Sequence, residues 1–69
     1  MENKTLYFKG FEGNSKGGWY ILKTDKYIIN SFGEYVTDNG IHENAYTTLE
    51  DARMAIHDSE KGYIRIIGA

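Results

Sequence analysis

The 69-residue chain contains no cysteine and no proline. The first absence excludes disulfide staples and thiolate metal centres. The second removes Pro-rich recognition segments and rigid Pro linkers. No apolar run approaches the ~20 residues that a membrane helix needs, and the opening Met1-Glu2-Asn3-Lys4 lacks the basic-then-apolar layout of a secretory signal. A soluble, cytoplasmic protein is expected. Its length fits one domain, residues 1–69. A chain of this size hides only about 60% of the surface its unfolded form exposes, leaving roughly 3–5 kcal/mol of net stability. With disulfides and thiolate metals excluded, a partner protein or a second copy of the chain, as in a homodimer, becomes a favoured source of further burial.

Charge is present in both signs and unevenly placed. Residues 1–26 carry five lysines against three carboxylates, while residues 27–69 carry three basic residues against seven carboxylates. The two parts therefore differ in sign, in the manner of a weakly basic and an acidic side, although an ordinary solvated surface accounts for charges of this size.

The clearest local signal is Thr47-Thr48-Leu49-Glu50-Asp51-Ala52-Arg53-Met54-Ala55-Ile56-His57-Asp58. Thr48 with Asp51, or Thr47 with Glu50, forms a capping box, and the acids of the first turn suit the positive end of a helix dipole. At about 100° per residue, Leu49, Ala52, Arg53 and Ile56 fall on one side, and Met54 points away. A helix at about 48–58 is expected to lay Leu49, Ala52 and Ile56 on a sheet.

The remainder reads as strand and turn. Residues 4–9 form a first strand, with Leu6 and Phe8 on one face and Thr5 and Tyr7 on the other. Residues 10–18, four of them glycine, form a loop suited to mobility or binding. Residues 19–24 and 27–31 follow as strands joined by a tight hairpin at Asp25-Lys26, and Asn39-Gly40 marks a further hairpin. Gly33 signals a bulge or a turn, and residues 42–46 an edge strand or an extended approach to the helix. Residues 63–67 close the chain as a strand. The fold class is α+β: an antiparallel sheet of four or five strands with the helix on one face, in the order β-β-β-(β)-α-β.

One helix covers one face, yet the strands are apolar on both. Either the sheet closes as a small barrel, or tyrosines stand on an open face, where large area and a polar tip suit protein contact. Six tyrosines make the second reading worth pursuing. The candidate contact residues are Tyr7, Tyr20 and Tyr35, with Glu34, Asp38 and Glu43 engaging basic groups on the partner. Carboxylates spread over a compact surface imitate phosphate spacing and fit a basic nucleic-acid channel. The other reading sets Lys4, Lys9, Lys23 and Lys26 among the tyrosines as a small nucleic-acid-binding module, against which the acidic balance stands.

Catalysis has little to build on. The glycine loop does not match a phosphate-binding loop, because Lys16 precedes Gly17 and a strand follows. His42 and His57 have no paired ligand spacing, and no nucleophile–base constellation stands out. The expectation is a non-enzymatic protein with no metal and no cofactor.

The runs Gly18-Trp19-Tyr20-Ile21, Tyr27-Ile28-Ile29, Gly33-Glu34-Tyr35-Val36 and Tyr46-Thr47-Thr48-Leu49-Glu50-Asp51-Ala52-Arg53-Met54-Ala55-Ile56 resemble small orphan proteins of bacteriophages and mobile elements. Those proteins often show a β-meander ending in an aromatic-Thr-Leu-Glu-Glu/Asp-Ala helix. The resemblance implies a phage-encoded inhibitor, working in the cytoplasm of a bacterial host. Its target would be a host defence or nucleic-acid-handling protein, CRISPR effectors included. It spans most of residues 18–58 and rests on a packing motif.

Overall fold

The computed structural model describes residues 3–11, 18–56 and 64–68. Strands β1 (Leu6–Phe11), β2 (Trp19–Thr24), β3 (Ile28–Ile29), β4 (Tyr35–Thr37) and β5 (Gly40–His42) precede helix α1 (Leu49–Met54), and β6 (Arg65–Gly68) follows it. The class is α+β. The strands do not make one antiparallel sheet of four or five, however. They form two three-stranded sheets, β1-β2-β6 (sheet A) and β3-β4-β5 (sheet B).

The alternation along β1 and β2 explains the division. Phe8 sits opposite Leu22 and Lys9 opposite Ile21 in an antiparallel ladder, so both faces of sheet A carry buried apolar side chains. Each face needs a cover. On one face, Ile21, Ala52 and Ile56 form a fully buried cluster with Tyr7, Trp19, Tyr46, Leu49 and Ile64 packed around it. On the other, Phe8 meets Tyr27 and Tyr35 with ring centroids 5.5 Å apart, and His42 at 5.1 Å. Sheet B is therefore the second cover of sheet A and not its continuation. The hairpin expected at Asp25-Lys26 does not pair its flanking strands. Instead, the Thr24 hydroxyl accepts from the Lys26 amide at 2.9 Å, turning the chain out of sheet A.

Two other expectations change. The last strand runs parallel to β2, with Ile21 beside Ile66 and Leu22 beside Ile67. A strand that follows a helix returns to the sheet by a crossover, which favours the parallel sense. The outer edge of β1 is already taken at one point, where Tyr7 and Tyr46 exchange two backbone hydrogen bonds of 2.8 Å. The helix is also shorter than 48–58. It starts at Thr48, whose extended backbone and hydroxyl cap the Asp51 amide at 3.0 Å, and it closes at Ala55. The Lys9 ammonium donates to the Ala55 carbonyl at 3.1 Å and lies 5.9 Å from the Trp19 ring centroid. A cation at this negative end of the helix ties β1 to α1. His57, Asp58 and Tyr63, and most of the glycine loop, lie outside the described residues. Among the described residues, no helix is long and apolar enough to cross a membrane.

Phe8 is fully buried between the two sheets, so Phe8→Ala should cost about 3–5 kcal/mol, comparable with the whole stability of a core this size. Thr48→Ala should cost about 1 kcal/mol and leave the chain folded. Thermal unfolding followed by circular dichroism should show no cooperative transition for the first variant and a lowered midpoint for the second.

Candidate functional site

The candidate contact residues are distributed, not gathered. Tyr7 lies on the α1 face of sheet A, half-buried against the Ile21 cluster. Tyr20 lies on the opposite face, since it pairs with Gly10 where Tyr7 pairs with Lys23. A methyl group at Gly10 would overlap the tip of the Tyr20 ring, so the ring lies flat over bare backbone. Tyr35 stands between the sheets, 5.8 Å from Tyr27 and 5.5 Å from Phe8. The three rings share no open face, because Tyr7 lies on the α1 side of sheet A while Tyr20 and Tyr35 are half-buried on the Phe8 side. Lys4 and Lys26 are exposed, while Lys9 is directed to the helix end. Lys23 stands on the α1 face with Tyr7, so the four lysines form no single patch with the tyrosines.

The acidic residues fall nearer one another in the chain. Glu34, Asp38 and Glu43 all belong to the sheet B segment, where residues 25–46 hold four carboxylates against one lysine. Asp38 and Glu43 are exposed. Asp38 lines an open hollow of about 600 Å³ with Asn3, Asp25, Lys26, Tyr27, Ile28, Val36 and Thr37. Glu34 has a local job, as its carboxylate accepts from the Asn30 amide group at 2.9 Å.

That bond is part of a brace. The Asn30 side-chain oxygen accepts from the amides of Phe32 and Glu34, both at 2.9 Å, and the Asn30 amide donates to the Glu34 carbonyl at 2.9 Å. Asn side chains hold tight turns in this way. Gly33 supplies the positive φ of 80° that closes the loop. At its apex Phe32 is 86% exposed.

The surface that sequence reasoning did not single out is the outward face of sheet B. Ile28 pairs with Val36, and Val36 with Ile41, so three β-branched side chains stand in a row across the sheet. Ile28 is 67% and Ile41 61% exposed. The inward row carries Ile29, Tyr35 and His42, of which Tyr35 and His42 pack on Phe8 and Ile29 is exposed. The available signal was the alternation itself, since Ile28, Val36 and Ile41 lie out of phase with Tyr27, Tyr35 and His42. An aromatic residue between Ser31 and Gly33, inside a turn, was a second signal.

Among the described residues, no group of three or more histidine and acidic side chains is placed to hold a metal ion. No family model, curated protein or solved structure matches the chain.

Asn30→Ala removes three of the side-chain bonds that hold the Phe32 loop. We expect a loss of about 1–2 kcal/mol and faster amide exchange confined to Phe32 and Glu34. Unchanged exchange at both amides would show that the brace does not set the loop.

Proposed function

We propose that this chain is a non-catalytic interaction protein that binds a host protein in the bacterial cytoplasm and blocks it, as a phage-encoded inhibitor would. The observation that carries the reading is the outward face of sheet B. Ile28, Val36 and Ile41 form an apolar row that is exposed at Ile28 and Ile41 and half-buried at Val36, and Phe32 is exposed at the apex of the braced loop between β3 and β4. Exposed apolar surface rimmed by polar groups is the usual mark of a protein contact. A large aromatic held in one position loses little entropy on binding, which suits an anchor.

Charge selects the kind of partner. With four carboxylates against one lysine, the sheet B segment complements a basic surface. Asp38 and Glu43 are exposed and stand at either end of β5. A defence or nucleic-acid-handling enzyme offers such a basic surface where it holds phosphates, and carboxylates placed there compete with nucleic acid. The contact set is therefore Ile28, Ile41, Phe32, Asp38 and Glu43. Glu34 supports it through the loop, and Tyr35 supports it from beneath.

A tagged pull-down from nuclease-treated bacterial lysate, read by mass spectrometry, should yield a nucleic-acid-handling protein in stoichiometric amount. Against that protein, Ile28→Thr with Ile41→Thr should weaken binding by at least about tenfold, a loss of about 1.4 kcal/mol. Asp38→Lys with Glu43→Lys should slow association and reduce its dependence on salt. Affinity unchanged by both pairs would overturn the assignment of this face. A second copy of the chain is the competing occupant, and light scattering of the isolated protein distinguishes it.

A further inference from the structure

We propose that His42 and Thr37 form a proton-responsive relay that carries the charge state of a buried ring to the β4–β5 turn. His42 is 6% exposed, at the junction of the two sheets. Its Nδ1 lies 3.2 Å from the Lys9 carbonyl oxygen. A carbonyl only accepts, so Nδ1 carries a hydrogen whatever the charge of the ring. The other nitrogen, Nε2, lies 3.1 Å from the Thr37 hydroxyl oxygen.

That hydroxyl has one hydrogen and two acceptors in reach. Thr37 Oγ1 stands 3.1 Å from His42 Nε2 and 3.3 Å from the Gly40 carbonyl oxygen, and it accepts from the Asn39 amide at 3.1 Å. With the ring neutral, Nε2 is a buried lone pair, and an unpaired one is costly, so the hydroxyl donates to it. The Gly40 carbonyl, on the strand residue paired with Thr37, then receives nothing from the hydroxyl. When Nε2 takes up a proton it becomes the donor to Oγ1, and the Thr37 hydrogen rotates to Gly40. One proton bound at the ring thereby closes one hydrogen bond across the turn. Both states leave every polar atom of the relay paired.

Aromatic rings and neutral polar groups surround His42. The face of Phe8, 5.1 Å away, favours a cation. Across β4 stands the Tyr35 phenol, with Tyr27 behind it. From β1 His42 meets a carbonyl, and the Lys9 ammonium is held at Ala55 on the far face. Asp38 and Glu43 are exposed, and the Glu34 carboxylate is bonded to Asn30. Because Asp38 and Ile41 flank the relay, affinity at the outward face of sheet B inherits its pH dependence. That last step rests on the proposed contact face, whereas the relay itself needs no partner.

The test is long-range ¹⁵N–¹H correlation spectroscopy of the full chain from about pH 8 to about pH 5, the span in which histidine side chains as a class change charge. At the alkaline end the His42 ring should be the Nδ1–H tautomer. The backbone nitrogen of Ile41, which senses bonding at the Gly40 carbonyl, should shift with the same midpoint as the ring. Thr37→Val should abolish the Ile41 response, and Thr37→Ser should retain it. An Nε2–H tautomer, a ring that stays neutral until the chain unfolds, or an Ile41 response that survives Thr37→Val would each overturn the relay. The tautomer and the shared midpoint are read on the unaltered protein, so the test stands even where Thr37→Val fails to fold. Failure of the contact-face reading would appear only in partner binding and would leave these spectra unchanged.

Discussion

The structure depends on a two-stranded ladder that is apolar on both sides. Phe8 and Leu22 face one way, Ile21 and Trp19 the other, and neither set can be left to water in a chain with so little core to lose. Two covers follow, the helix on one side and sheet B on the other. Each cover is small, so each buried residue carries a large share of the stability. The aromatic content answers that constraint, because rings bury more area per residue than aliphatic side chains. Their polar tips still reach partners at the rim, as where the Tyr27 hydroxyl donates to the Lys4 carbonyl at 2.7 Å.

The same constraint decides which surface is left over. Rings that could have formed an open contact face are used as filling: Tyr7 under the helix, Tyr35 between the sheets, Tyr20 against Gly10. Sheet B is a single thin layer of strands two and three residues long. Of its inward row, Tyr35 and His42 pack on Phe8 while Ile29 stays exposed, and its outward row is exposed at Ile28 and Ile41. Much of the exposed apolar surface among the described residues therefore falls on the acidic segment, at Ile28, Ile29, Phe32 and Ile41. His42, at the seam between the layers, is the one polar side chain that is buried among the described residues. It is paired on both nitrogens, as a polar group in so thin a core must be.

Features written in local spacing were legible in the sequence. The faces of β1 and β2 follow the strand period of two. The Thr48 cap follows from a short hydroxyl side chain placed before Leu49 and an acid at Asp51. The burial of Ala52 and Ile56 follows from the helical period. The turn at Asn39-Gly40 was also legible, although the positive φ of 118° falls at Gly40 alone. The candidate acids were found as a segment, but the Ile28–Val36–Ile41 row was not. Strands this short give a periodic pattern too few repeats to stand out.

What the sequence by itself determined is the α+β class, the helix with its start, and the two apolar faces of the central strands. Those depend on residues a few positions apart. Only the tertiary structure decided that the strands divide into two sheets, that β6 joins β2 in parallel, and that Tyr7, Tyr20 and Tyr35 are half-buried while Ile28, Ile41 and Phe32 are exposed. Those outcomes depend on which distant segments compete for the same face and edge of β1 and β2. Tyr46 takes the edge of β1, α1 takes one face and sheet B the other, and no local pattern in the chain states the result of that competition.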